Sequence, residues 1–306
     1  MSSIVVVGSL NMDVVAVAPH LPLAGETLIG SKYWDAPGGK GANQAYGAAK
    51  LGADVSMLGR VGNDNYGSRM RANLESVGCD TRGLKTVEGS SGIALISLAE
   101  TGQNSIIVVS GANDRYSPAD VRAERSLMEG AKLLLLQLEN PYETVTAAAQ
   151  IGRQAGARVV LDPAPAPSSL PGELLQTVDV LTPNETEAAR LAGSPATTLS
   201  LEDARVVARK LQGMGPRIVI IKLGAQGCLL LVGDVTTHVA APQVNALDTT
   251  GAGDEFNGAF AVATAEGASL QESCRFAAHA AALSVTRLGS QASMPSRQEF
   301  DRFYRS

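Results

Sequence analysis

Short, wholly apolar runs that close on a glycine or a polar residue recur along this chain, and stretches long enough for a helix stand between them. Ile4–Val7 ends at Gly8, and an alanine-rich segment follows at 41–51. Val55–Leu58 leads into a predicted turn at Gly59–Asn63 and a helix at 66–77. After a pause the rhythm resumes: strand Lys132–Leu138, helix 141–155, strand Arg158–Leu161, strand Val178–Leu181, helix 185–192, helix Leu201–Leu211, strand Arg217–Lys222. Runs that are apolar throughout suit strands buried on both faces, and alternation with helices places those helices over the sheet. The expected class is therefore α/β, three layers deep, with a central mostly parallel sheet and flanking helices. Cys228–Val232 and Thr236–Val239 look like antiparallel additions, and 254–266 and 269–286 like long helices.

The pause is informative. Residues 13–36 hold strand-like pieces without a helix, and Gly92–Leu98 with Ser105–Ser110 reads as a hairpin through Glu100–Gln103. These inserts, at about 13–36 and 91–110, predict a small β lid at the edge of the main sheet. No linker interrupts 1–306, so one domain is expected.

Composition narrows the function classes. Apolar residues make up 45% and charged residues 18%, as in soluble globular chains. A formal net charge of −5 and the lack of a Lys/Arg run argue against broad nucleic-acid binding. Three cysteines, Cys79, Cys228 and Cys274, are too few and too scattered for a disulfide framework or a CxxC metal pattern. With no basic start before a long apolar run and no stretch of about eighteen apolar residues, a cytoplasmic protein without membrane contact is expected.

In open α/β sheets ligands sit beyond the carboxyl ends of the strands. Asp248-Thr249-Thr250-Gly251-Ala252-Gly253-Asp254 precedes an apolar run from Phe256. It reads as a helix start whose free N–H groups can hold a phosphate, with Asp254 able to take a proton from a hydroxyl. Gly38-Gly39-Lys40-Gly41-Ala42-Asn43-Gln44 is a second glycine turn before a helix. It lacks Walker A spacing, and no GxGxxG follows the first strand. Asn11 and Asp13 suit sugar hydroxyls, although alone they read as a polar turn. Glu139 is either a ligand or an exposed strand end. Asn184 and Glu187 fit either a helix cap or a water-coordinated Mg²⁺ site. Lys222 with Gly224 and Gly227 suggests a nucleotide-side loop. His20, His238 and His279 have no metal-ligand spacing.

Taken in order, these motifs resemble the ribokinase-like carbohydrate kinases over essentially the whole chain: GSLNMD at 8–13, GGKGANQA at 38–45, TPNETEA at 182–188, DTTGAGD at 248–254 and Ser284–Arg287. The resemblance implies a three-layer fold with a β lid that also forms a homodimer contact. It implies transfer of the ATP γ-phosphate to the 5-hydroxyl of D-ribose. Asn11, Asp13, Gly39, Lys40, Asn43 and Glu139 would hold the sugar, and Asp254 would be the base within the Gly251, Ala252, Gly253 anion hole. Asn184 and Glu187 would serve Mg²⁺ and phosphate, and Lys222, Gly224, Gly227 and Gly253 would border ATP. A K⁺ loop would use Asp248, Thr250, Ser284, Arg287, Gly289 and Ser293. Two residues depart from the family pattern. Glu255 adds a charge directly after the base, and His279 stands near the expected adenine position. Another sugar kinase, a nucleoside kinase or a silent sugar-binding protein are the alternatives this leaves.

Overall fold

Seven parallel strands form the floor of the molecule. In the computed structural model, which describes residues 3–194 and 198–305, they are β1 (Ile4–Val7), β4 (Val55–Gly62), β5 (Asp80–Val87), β8 (Leu133–Leu136), β9 (Arg158–Leu161), β10 (Val180–Leu181) and β11 (Ile218–Lys222). Antiparallel β12 (Cys228–Val232) and β13 (Val235–Val239) complete a sheet ordered β13-β12-β11-β10-β9-β8-β1-β4-β5. All four residues of β1 and of β8 are buried. This is what apolar runs without alternation require of central strands.

Helices cover both faces. One core layer lies under α1 (Lys40–Lys50), α2 (Asn65–Ser76), α8 (Ala252–Ala265), α9 (Leu270–Ser284) and α10 (Arg297–Tyr304), and includes Phe256, Phe260 and Phe300. The other lies under α3 (Pro118–Ala123), α4 (Tyr142–Gln154), α5 (Gly172–Thr177), α6 (Glu185–Leu191) and α7 (Leu201–Gln212). All three cysteines are buried and free. Among the described residues no helix is long and apolar enough to cross a membrane.

The predicted inserts form a separate four-stranded sheet ordered β3-β2-β6-β7, from β2 (Asn11–Ala18), β3 (Lys32–Gly38), β6 (Gly92–Ala99) and β7 (Asn104–Val109). β2 pairs antiparallel with β3 and parallel with β6. Every residue of edge strand β7 is exposed, Ile106, Ile107, Val108 and Val109 among them.

The expected turn at Gly59–Asn63 is a correction: residues 59–62 continue β4 and pair with β5. Arg60 misled the reading because it is charged yet only 3% exposed. Its guanidinium meets Glu124 at 2.8 Å and covers the Tyr116 ring at 4.1 Å, so charge pairing and stacking offset its desolvation.

Candidate active site

The carboxyl ends of β1, β8, β9 and β11 and the amino ends of α1 and α8 converge on one cleft. α8 begins at Gly251, whose φ of 76° turns the chain into the helix. The N–H groups of Gly253 and Asp254 make no backbone hydrogen bond among the described residues, as expected of a first helical turn. Asp254 is 6% exposed. Its Oδ2 accepts from Asn43 Nδ2 at 2.9 Å and its Oδ1 from Gln44 Nε2 at 3.2 Å. Two amides thus fix the carboxylate and leave its position to packing between α1 and α8.

α1 starts where it does because of close backbone contact. Gly39 has φ 88°, and a Cβ there would lie 2.6 Å from the Asn11 nitrogen. A Cβ on Gly41 would lie 2.6 Å from the Ser9 nitrogen. Glycine at both positions lets the helix start press against the segment after β1. The Lys40 N–H donates to Glu139 Oε2 at 3.1 Å, which also accepts from Ser9 Oγ at 2.6 Å and Asn11 Nδ2 at 3.4 Å. Asn113 fixes the Asn11 amide by donating to its Oδ1 at 2.8 Å.

The charges are coupled. Burial works against the Lys40 ammonium, but Asp254, Asp162, Glu139 and Glu187 outweigh it and hold its pKa above the usual lysine range. Burial, with Glu139 and Asp254 adding repulsion, pushes Asp13 up to about 7. Burial also raises Asp254, opposed chiefly by Lys40. Lys222 Nζ lies 3.1 Å from Asp162 Oδ1 and faces Gly253, where a Cβ would meet it at 3.3 Å.

Two adjoining cavities share Lys222, Gly224 and Gly253. The first, about 400 Å³, is polar and includes Lys40, Asp162, Asn184, Glu187, Gly251 and Asp254. The second, about 250 Å³, is walled by apolar groups including Ala241, Val244, Phe256, Ala282 and Val285, with Gly227 at its edge. A flat apolar group fits the second while anionic groups fit the first. The sizes and linings thus suit a nucleotide laid across both.

Asn184 and Glu187 form a reciprocal cap on α6: Asn184 Oδ1 accepts from Glu187 N and Glu187 Oε2 from Asn184 N, each at 2.8 Å. The cap role foreseen for Asn184 is therefore present, and both residues still line the polar cavity. Asp248 accepts from Thr250 N at 2.9 Å, Thr250 Oγ1 at 2.6 Å and Gly289 N at 2.8 Å. Burial opposes these bonds, yet they hold its carboxyl below the usual range. Asp248, Thr250 and Gly289 are thus brought together. Ser284 and Ser293 are buried, whereas Arg287 pairs with Glu299 on α10 at 2.9 Å.

His279 is not brought into the apolar cavity. Its ring meets Tyr304 edge-on at 4.9 Å, while its helix neighbours Ala278, Ala281 and Ala282 line the cavity. Glu255 also points away: a Cβ on Gly47 would lie 2.2 Å from its Oε2 and 3.2 Å from Met294 Sδ. In the sequence Asp162 is only the polar residue that follows the predicted strand Arg158–Leu161. It is a hub, accepting from Gln44 Nε2 at 3.1 Å as well as from Lys222. Gln137 and Gln291 were also missed. Gln137 holds Gln44 at 2.7 Å and Gln291 holds Asn43 at 2.9 Å, and lone glutamines carry no spacing signal.

The profile of the pfkB family of carbohydrate kinases matches residues 1–297. Ribokinase of Haemophilus influenzae is 42% identical over 298 residues, 97% of this chain and 96% of the relative. Deoxyribokinase of Salmonella typhi is 38% identical over 301 residues, 98% of each chain. The structure of Arabidopsis thaliana ribokinase complexed with ribose and ATP superposes with a TM-score of 0.91 at 37% identity, covering 100% of this chain and 99% of the other.

Proposed function

The chain belongs to the pfkB family of carbohydrate kinases, and we propose that it transfers the γ-phosphoryl group of ATP to the 5-hydroxyl of D-ribose, giving D-ribose 5-phosphate and ADP. The observation that carries this reading is the placement of Asp254. It stands at the free amino end of α8, between the polar cavity and the Asn11, Asp13, Lys40, Asn43 and Glu139 cluster.

Asn11, Asp13 and Glu139, with the Gly39 backbone, Lys40 and Asn43, receive the sugar hydroxyls. Asp254 accepts the proton of the attacking hydroxyl, and its raised pKa makes that transfer more favourable than an ordinary aspartate would. The N–H groups at Gly251–Asp254 and the Lys222 ammonium meet charge on the transferring group. Gly224, Gly227 and the apolar wall hold the base.

Glu187 has one oxygen outside its cap and lines the phosphate cavity, so with Asn184 it fits a Mg²⁺ ion that keeps most of its waters. Mg²⁺ held there would neutralise phosphate charge. Asp248, with its oxygens committed to Thr250 and Gly289, braces a loop whose carbonyls, with those near Ser284, Arg287, Gly289 and Ser293, fit K⁺. The four-stranded sheet acts as a lid that limits transfer to water and, through the apolar face of β7, pairs two copies as a homodimer. A cytoplasmic setting accords with three free thiols.

The test is a coupled ADP-release assay over ribose, 2-deoxyribose, hexoses and nucleosides, with and without K⁺. Ribose should give the highest kcat/KM, and Asp254→Asn should lower kcat roughly 10²–10⁴-fold. Near-normal turnover in that variant would remove Asp254 from the proton-transfer role. A nucleoside preference would replace the sugar assignment.

A further inference from the structure

A second polar cleft, about 580 Å³, opens at the other end of the sheet. Its geometry follows from strand register. Lys132 precedes β8, Arg158 opens β9, Asp179 precedes β10 and Arg217 precedes β11, and these four strands are consecutive neighbours. Backbone bonds lock the row: Arg158 N to Lys132 O, Asp179 N to Val159 O and Ile218 N to Asp179 O, each at 2.9 Å. At ~4.8 Å per strand the row is roughly 14 Å long. Arg153, from α4, adds a fourth cation beside it.

Four cations therefore face one carboxylate, in a protein whose formal net charge is −5. None of the four forms an ion pair among the described residues. Asp179 offsets only one of the four charges, and its Oδ2 also accepts from Val159 N at 2.9 Å. Two of the cations are anchored on carbonyls: Lys132 Nζ on Ala265 O at 2.7 Å and an Arg153 amine on Gln176 O at 2.6 Å. Among the described residues the Arg158 and Arg217 guanidiniums have no such anchor. Gathering like charges costs Coulomb energy that an anion would reverse. The arginine forks match phosphate oxygens in pairs, and the volume lies in the range of small-molecule sites.

We propose that this cleft is a second anion site, taking a small phosphorylated ligand at the amino ends of the strands, separate from the catalytic cleft. The site adjoins the last turn of α8 through Thr264 and the Lys132–Ala265 bond, so a bound anion would compete for the lysine that caps that helix.

Isothermal titration calorimetry with inorganic phosphate and with pyrophosphate tests it, on protein already saturated with ribose and a non-hydrolysable ATP analogue. One further site should appear, and Arg158→Ala/Arg217→Ala should weaken it at least tenfold. The equal-charge control Arg122→Ala/Arg125→Ala, at exposed arginines outside the cleft, should leave it unchanged. Pyrophosphate binding much tighter than phosphate identifies a ligand with several phosphates; equal binding identifies a single phosphate group. Absence of a further site for both probes overturns the proposal. So does equal weakening in the two double variants, which would reveal only general attraction to a less acidic surface. The heats from wild-type protein decide the first point even if a variant folds poorly.

Discussion

Glu255 and Asp254 are consecutive on α8, yet about 100° of helical rotation separates their side chains. Asp254 faces the cleft, and Glu255 faces α1, wholly buried and without a hydrogen-bond partner for either oxygen among the described residues. Burial pushes Glu255 up to about 8, opposed by Lys50 and assisted by Asp254. At neutral pH it is mainly uncharged, so the extra acid beside Asp254 adds little charge to the polar cavity. Its folded pKa is raised above the unfolded value, so its contribution to stability is complete below about pH 4.5 and is lost as pH rises through about 8. Thermal melts of Glu255→Gln should therefore gain on wild type between pH 5 and 9, by up to a few kcal/mol. Parallel pH curves would refute a neutral Glu255. Burial, with repulsion from Glu139 and Asp254, brings Asp13 to about 7. As pH falls below about 7 its carboxylate takes a proton and loses acceptor capacity for the sugar hydroxyls proposed to bind there. The acid limb of kcat/KM for ribose should lie near there, and Asp13→Asn should move it; an unmoved limb would assign it to Asp254 or another group.

At the scale of the element, α1 is seated closely against the chain that follows β1. Its first residues carry Lys40, Asn43 and Gln44, and Gly41 lies against the backbone of Gly8 and Ser9. Gly41→Ala must push the helix start outward, at ~1–3 kcal/mol for overpacking. KM for ribose should rise roughly tenfold and KM for ATP by less, because Lys40 alone of the displaced first turn lines the proposed nucleotide cavities. An equal rise in both would show general unfolding instead. The glycine run at 38–41 was legible because only small residues allow such contact, and the central strands were legible because burial on both faces removes polar interruption. β5 was not legible: its sequence DTRGLKTV has three exposed residues and lies at the sheet edge. The short α3 and α5 carry only one and two buried residues respectively, too few to show a period. Asp254, Lys40 and Glu139 could be located as strand or helix ends. The amides that aim them could not, since Gln44, Gln137 and Gln291 act through contacts far apart in sequence.

On the scale of the whole molecule, the four-stranded sheet leaves Leu95, Ile106, Ile107, Val108 and Val109 partly open to water. A fully exposed apolar edge strand is costly for a lone chain. Ile107→Lys should convert the proposed dimer to a monomer in light scattering, while the melting temperature of the main body stays close to wild type; a wild-type monomer, or an unchanged dimer mass in the variant, would refute pairing through β7. The three cysteines report on the opposite property. Cys79 lies next to β5, whereas Cys228, which opens β12, and Cys274, on α9, are side-chain neighbours, so they sample two places in one core layer. Each is shut away from solvent, and burial pushes the Cys79 thiol up to about 12. Alkylating reagents therefore meet a thiolate only when that part of the interior opens. The chain carries its own set of opening clocks, one at the amino end of edge strand β5 and a pair between β12 and α9, readable by mass without adding a label site.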